Sequence, residues 1–377
     1  MDPATTSALT PFLIAAVAAL VGWFGLRAHG ARVRGRLEAA VSSHGLTVTA
    51  ASFGLAARAQ GQVDGLRVEI LYSEPADRSG RKQLIEPQGL ARVEIGLPTR
   101  MPLGLRVLSM GLAQGMVVAL GGQDIELGDE YLDPLVRVRG DEVEGCRSLL
   151  STAAVRNALT PCAGNPRASL DLDGTRLSYR ETGPVGLLDP GRTLELALRL
   201  GRSLVEAAEA PWTGLARSRG LQLAHSRDGE GRTLSGRVGE VDVKVVLGAD
   251  PHDPDAPQTR VTASISPPLP GGLRLRGRAR GVPRAGISTG DPVLDGVVDV
   301  VTSDPDLARA VLAQGELTGP VLELLHGHPG STVHPRGVVL VAAGWRRDDL
   351  EALLDATVEL ATLLGEASRA VSADLSR

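Results

Sequence analysis

The phrase GDEYLDPLVRV, Gly128 to Val138, is written a second time 162 residues later as GDPVLDGVVDV, Gly290 to Val300. Other landmarks recur in the same order. GQVDGLRVEI (Gly61 to Ile70) matches GRVGEVDVKV (Gly236 to Val245). ARVEIGLPTRMPLGLRV (Ala91 to Val107) matches the stretch anchored by Arg260 and by Pro270 to Leu275. The offset between partners shrinks from 175 to 168 to 162, as loop trimming in the second copy would produce. The LDG turn at Leu172 to Gly174 answers HPRG at His334 to Gly337, and a Leu-rich segment closes each half. A chain of 377 residues has room for two cores. It must therefore fold one unit twice, at 46–210 and 211–377, with Pro211, Trp212 and Thr213 as the joint.

Each half opens as strands. Val63, Leu66, Val68 and Ile70, and likewise Val238, Val241, Val243 and Val245, alternate with polar residues at period two. Polar, Pro- or Gly-rich stretches at Ser73 to Arg81 and Ala249 to Pro257 fit hairpin tips. Helices follow. Asp304 and Pro305 supply an N-cap and a first-turn proline, Asp141 and Glu144 a capping box, and Asp189 with Pro190 and Asp348 with Glu351 open the closing helices. In the last helix Leu350, Leu353, Leu354, Val358, Ala361 and Leu364 make one apolar stripe; in the first closing helix Leu194, Ala197, Leu198, Leu204 and Val205 do the same. The expected fold class is α+β, two tandem copies of a two-layer α/β sandwich related by a pseudo-twofold.

The amino terminus predicts something else. Residues 4–26 carry no charge and are mostly apolar, about the ~20 residues a helix needs to cross a bilayer. Arg27, Arg32, Arg34 and Arg36 follow this run, whereas only Asp2 precedes it, so the charge lies on the wrong side for a cleaved signal. The positive-inside rule then predicts a single-pass bacterial inner-membrane protein, with 1–45 as transmembrane helix and basic juxtamembrane segment and the bulk of the chain cytoplasmic. The rival is a signal peptide delivering the same domains to the periplasm or outside the cell. The lipid bilayer is the partner of residues 4–26 on this reading, and the arginines add contacts to anionic headgroups.

Composition excludes several classes. A net charge of −4 gives no basic field for nucleic acid, and 2% aromatics leave few stacking platforms. Basic charge is almost wholly arginine, since lysine occurs only at Lys82 and Lys244, which reads as codon bias. Cys146 and Cys162 form no disulfide framework or CxxC pair and read as buried thiols.

Four carboxylates and three imidazoles are the candidate chemistry. Asp129 and Asp133, repeated as Asp291 and Asp295 behind Gly128 and Gly290, have the fixed spacing of an acid–base pair. Their presence in both copies favours a fold-determining turn, in which one Asp bonds back to the backbone. His326, His328 and His334 crowd one Gly/Pro turn and are candidate metal ligands, without a nearby Cys or zincin Glu. Asp250, His252, Asp253 and Asp255 could face a calcium ion but lack the glycine and terminal Glu of a recognised loop. Glu351, Asp355 and Glu359 form an acidic helical stripe that reads as a solvated face. Nucleotide, hydrolase, zincin and kinase motifs are absent.

The GD-x-x-LD-x-x-V phrase, with its following Leu-rich helix, strand pair and closing helix, resembles a pattern in uncharacterised bacterial proteins that carry an amino-terminal membrane helix. The likeness spans about 80 residues in each copy, Leu132 and Leu294 stand where an aromatic is commoner, and it implies no activity. The function expected is therefore a membrane-anchored, non-enzymatic binding or scaffold protein holding a protein or small ligand between its copies, with no cofactor and no nucleic acid. The alternative is a metal-assisted hydrolase using His326, His328 and His334, and lipid handling is a third reading.

Overall fold

The computed structural model describes residues 3–50, 56–75, 88–99, 101–102, 104–109, 125–225, 231–249, 257–278, 285–314, 317–344 and 349–375, with side chains from residue 16 on except at 50, 225, 249 and 257. The chain divides into two compact units, Met1–Ala207 and Ala208–Arg377.

In the first unit α1 (Pro3–Val41) leads through a turn at Gly45 into β1 (Thr47–Ala50), and β2 (Ala56–Val63), β3 (Leu66–Ser73) and β4 (Gln88–Gly96) follow as a meander. Then come β5 (Arg106–Ser109), β6 (Val136–Arg139), α2 (Val143–Ser151), α3 (Ala153–Ala163), the hairpin β7 (Ala168–Asp173) and β8 (Arg176–Pro184), and α4 (Pro190–Arg219), within which the division at Ala207 and Ala208 falls. The strands lie in the order β1-β2-β3-β4-β8-β7-β5-β6. In the second unit β9 (Gln222–His225), β10 (Arg232–Val238), β11 (Val241–Ala249) and β12 (Pro257–Ser264) form the meander. They are followed by β13 (Arg274–Gly277), α5 (Pro292–Val297), β14 (Val298–Val301), α6 (Pro305–Leu312), α7 (Thr318–Gly327), β15 (Thr332–His334), β16 (Gly337–Ala343) and α8 (Leu350–Leu375). This sheet reads β9-β10-β11-β12-β16-β15-β13-β14, the same order strand for strand.

The two sheets also share their register. Gly61 faces Val68, which faces Ile95, which faces Leu177; at the matching places Gly236 faces Val243, Val243 faces Ala263, and Ala263 faces Val338. Val107 faces Leu172 and Val138 as Leu275 faces Val333 and Val300. A one-residue slip would turn every side chain to the other face, so identical register means that both halves bury the same alternate positions. Both are antiparallel sheets with helices over one face, the α+β sandwich expected from the strand and helix patterns.

The membrane anchor is not borne out. Among the described residues no helix is long and apolar enough to cross a membrane. Of the uncharged stretch, the described side chains run from Ala16 to Leu26, roughly 16 Å of helix against the ~30 Å of a hydrocarbon core. The remainder, residues 4–15, lies outside the described side chains. Beyond Leu26 the same helix turns into part of the sandwich: Val33, Leu37 and Val41 are at most 1% exposed and belong to the core. That overturns the transmembrane helix and the single-pass inner-membrane localisation expected from the uncharged stretch. Within the arginine-rich stretch that follows, Arg36 bonds Glu74 at the end of β3, and His29 bonds the Glu74 carbonyl oxygen.

That packing also shows where each unit starts. Gly45, after the 3-10 turn Ser42–His44 that follows α1, and Gly220, at the end of α4, take φ of 66° and 65°, the left-handed conformation that favours glycine. The leucine after each, Leu46 and Leu221, lies over a glycine of the second strand of its sheet, β2 or β10; a Cβ on Gly61 or Gly236 would come within 2.9 Å of its Cδ2. Each unit thus opens with a helix, a Gly-Leu turn and a strand. The positions of Val33 and Leu37 correspond to Ala208 and Trp212, 1% and 2% exposed. Pro211, Trp212 and Thr213, expected as a joint, are helical, and Trp212 is core in the second unit.

Caps follow the sequence with one exception. Asp304 accepts from Leu307 N, and Asp189 from Gly191 N and Arg192 N. The Asp141 capping box does not form: α2 starts after Glu142, and the Asp141 carboxylate lies against Gly104, where a Cβ would sit 2.5 Å from Oδ2. Asp348 lies outside the described residues.

Candidate functional site

The repeated GD phrase folds alike in both units. Gly128 and Gly290 take φ of 72° and 90°, turning the chain so that the next Asp can bond ahead. Asp129 Oδ1 accepts from Tyr131 N and Leu132 N, and Asp291 Oδ1 from Val293 N and Leu294 N. The second carboxylate bonds backwards: Asp133 accepts from Leu127 N and Asp129 N, Asp295 from Thr289 N and the Thr289 hydroxyl. Leu132 and Leu294, 1% and 2% exposed, pin the turn to the core. Each carboxylate accepts from at least one backbone N–H, as a fold-determining turn requires. Backbone N–H bonds, from Tyr131 at Asp129 and Val293 at Asp291, hold both acids below the usual aspartate value, with Arg156 and the Thr318 hydroxyl adding to the effect. A depressed folded-state value gives stability that is present at neutral pH and is lost as pH falls below the unfolded value of ~3.9 and through the folded one. Urea midpoints should therefore drop between pH 5 and pH 2.5, and the drop should be smaller in Asp291→Asn.

The three histidines sit at different places. His326 is exposed on the last turn of α7, His328 caps that helix, and His334 ends β15, where its Nδ1 accepts from Arg336 N. Burial, with help from Arg274, holds His334 below the usual imidazole value. Among the described residues no group of three His, Cys, Asp or Glu is placed to hold a metal. Asp250, His252, Asp253 and Asp255 lie outside the described residues. Cys146 and Cys162 are both buried, and burial pushes the Cys162 thiol up to about 12, too high to supply a thiolate. Near it Glu181, 8% exposed, accepts from Asn165 Nδ2 at 3.1 Å and the Thr193 hydroxyl at 2.9 Å, a knot joining the turn after α3 to β8 and α4. The acidic stripe of α8 is partly tied down, since Arg219 donates to both Glu351 and Asp355.

The feature that codon bias had explained away is on the first sheet. With the apolar positions turned under the helices, the other face carries Arg58, Arg67, Arg92, Arg106, Arg137, Arg139, Arg176 and Arg180, all exposed or half-exposed, against Glu69, Glu94, Asp171 and Asp173. Register sorts them into bands. One row across the strands runs Arg58, Leu71, Arg92, Arg180, and another runs Arg67, Gly96, Arg176, Asp173, Arg106, Arg139. Between them lie Glu69, Glu94 and Asp171, with Arg137 at the end. Arg92 and Arg180 are directly opposite, as are Arg106 and Arg139, a pairing of like charges that costs stability. Ion pairs join the bands: Arg58 with Glu69, Arg92 with Glu94, and Arg176 with Glu94 at 2.7 Å.

Over this face lies an open depression of about 750 Å³. Gly96 is in its floor, Arg67 and Arg176 flank the glycine on the two neighbouring strands, and Thr47, Gln62 and Thr175 stand at its rim. The second unit does not keep the residues that line it. Arg67, Gly96 and Arg176 correspond to Asp242, Ser264 and Gly337, and Glu69 and Glu94 to Lys244 and Thr262, while Arg92 and Arg106 keep their charge as Arg260 and Arg274. Two units that fold alike without sharing these residues show that the sandwich does not demand them. Period-two alternation puts each of these arginines at an outward position, so the sequence held the signal; what it lacked was strand order, which brings distant arginines into rows.

No protein-family model, curated protein or solved structure matches the chain.

Proposed function

We propose that the chain is a non-enzymatic binding protein, and that the banded face of its first sheet receives an anionic partner. The observation carrying this reading is charge segregation: a chain with a net charge of −4 sets eight arginines against four carboxylates on one sheet face. Guanidinium groups present planar forks suited to carboxylate and phosphate, and an excess of one sign on a face raises the local concentration of the opposite sign. Like charges placed directly opposite would be offset by a bound anion. Polyanions that need base stacking fit poorly, since the face carries no aromatic ring. The turns, thiols and histidines described above supply no nucleophile, no shared proton and no ligand trio, so a hydrolase has no supporting geometry among the described residues.

The test is binding of a fluorescent poly-L-glutamate peptide to the full chain. Arg67→Glu combined with Arg180→Glu should weaken binding at least tenfold at low salt, and binding of the unaltered chain should fall as salt rises. Reversing two other exposed arginines, Arg309 and Arg369, is the control. Equal loss in the control, or none in the double variant, overturns the reading.

A further inference from the structure

We infer that the depression over Gly96 is a subsite for a single oxyanion group, a carboxylate or a phosphate, seated between Arg67 and Arg176. The inference rests on the reading of the banded face as an anion-binding surface and says where on it, and through which chemistry, the contact is made. Three observations converge on this spot.

Shape comes first. Gly96 is the one glycine in the row between two arginines, and removing a side chain there leaves a floor of bare backbone with a guanidinium stem on either side. Those stems leave strands that flank β4, so their Cα atoms are about two strand spacings apart, roughly 9.6 Å. That gap admits an oxyanion which both forks can approach from opposite sides. A volume of about 750 Å³ lies within the range of small-ligand sites, so the rest of a ligand has room beyond the anionic group.

Charge is the second. Glu69 and Glu94 also line the depression, and taken alone they would repel an anion. Each is matched by an arginine of the adjoining row, Glu69 by Arg58 and Glu94 by Arg92, while Arg176 reaches Glu94 as well at 2.7 Å. Four arginines thus surround two carboxylates, and the surplus falls on the Arg67 and Arg176 side. Thr47, Gln62 and Thr175 add hydroxyl and amide donors there, the groups that complete the hydrogen bonds of an oxyanion held by charge.

Divergence between the units is the third. The second unit keeps the register and loses all three defining residues: Ser264 fills the floor and accepts a hydrogen bond from Asp242 N, so the place of Arg67 is taken by an acid and that of Arg176 by Gly337. One sheet therefore carries the seat and its sibling does not.

Equilibrium dialysis of the full chain at low ionic strength, with labelled inorganic phosphate and separately with malonate, tests this. One equivalent should bind saturably, and the tighter of the two probes tells whether the seat prefers phosphate or carboxylate. Arg67→Ala should weaken binding about tenfold. Gly96→Val keeps all charges and suits a strand, its Cβ standing an ordinary 3.5 Å from Arg67 Cβ, and should abolish binding by occupying the floor. Unchanged melting of Gly96→Val shows that the loss is not unfolding. If neither probe saturates, or both bind Gly96→Val as they bind the unaltered chain, the subsite is wrong. Loss of poly-glutamate binding in Arg67→Glu/Arg180→Glu alongside full phosphate and malonate binding in Gly96→Val overturns the subsite and leaves the banded face standing. Poly-glutamate binding that ignores the double variant overturns the face itself.

Discussion

Leu37→Ala should destabilise the first unit by about 2–5 kcal/mol, the range for emptying a fully buried leucine site. Trp212→Ala, at the matching place of the second unit, should cost about 3–5 kcal/mol. Leu37 is 0% exposed and Trp212 2%. The cause in both cases is the helix that opens each unit, laid on the first strands of its sheet ahead of the Gly-Leu turn. Val21, 65% exposed on the same helix as Leu37, should tolerate alanine with a change within ~0.5 kcal/mol. Denaturant midpoints of the three variants decide the matter. If Leu37→Ala and Val21→Ala unfold alike, the carboxyl half of α1 is not core, and the account of where the repeat begins fails. Because the two units have separate cores, unfolding should show two transitions, each variant moving one.

The second large effect belongs to the repeated phrase. Asp295→Ala removes the acceptor for Thr289 N at 2.8 Å and for the Thr289 hydroxyl at 2.9 Å, and Asp133→Ala removes it for Leu127 N at 3.0 Å and Asp129 N at 3.1 Å. Hydrogen bonds to a charged acceptor are worth about 1.5–3 kcal/mol, and stranding their donors adds to the loss, so each variant should lose about 2–3 kcal/mol. Asn at either position keeps an acceptor and should recover part of it. Thermal melts of Ala and Asn variants separate this from catalysis, because a turn responds to geometry and a proton carrier to ionisation. An Asn variant as unstable as the Ala variant would show that the backward bonds do not hold the turn.

Much of the architecture was legible in the residues themselves. Alternation at period two fixed which side of each strand is buried, from Val68 and Ile70 to Val243 and Val245, and the recurring phrases predicted one unit twice. The shrinking offsets are explained by two connections, since β3 to β4 and the run into β6 are each shorter in the second unit. Three things were not legible. Uncharged length at the amino terminus resembled a bilayer span, yet no described helix is long and apolar enough for one, and Val33, Leu37 and Val41 beyond it mark an amphipathic stretch only once a sheet is there to receive it. Asp141 looked like a cap because sequence cannot show Gly104 offering it a closer berth. The arginines looked like composition because local pattern gives the side of a strand and never its neighbour, and β4 lies beside β8, some 80 residues on.

The matched register carries a practical consequence. Six or seven residues separate the lengths of equivalent connections, at 74–87 against 250–256 and at 110–135 against 278–297, while every pair of strands they join meets partner for partner. The two units already differ in length at these two places without any change in the ladders. They are the sites, the second of them upstream of the Gly128 and Gly290 turns, at which a fluorophore, an epitope or a guest domain can be grafted while the rest of the sandwich goes on folding as before.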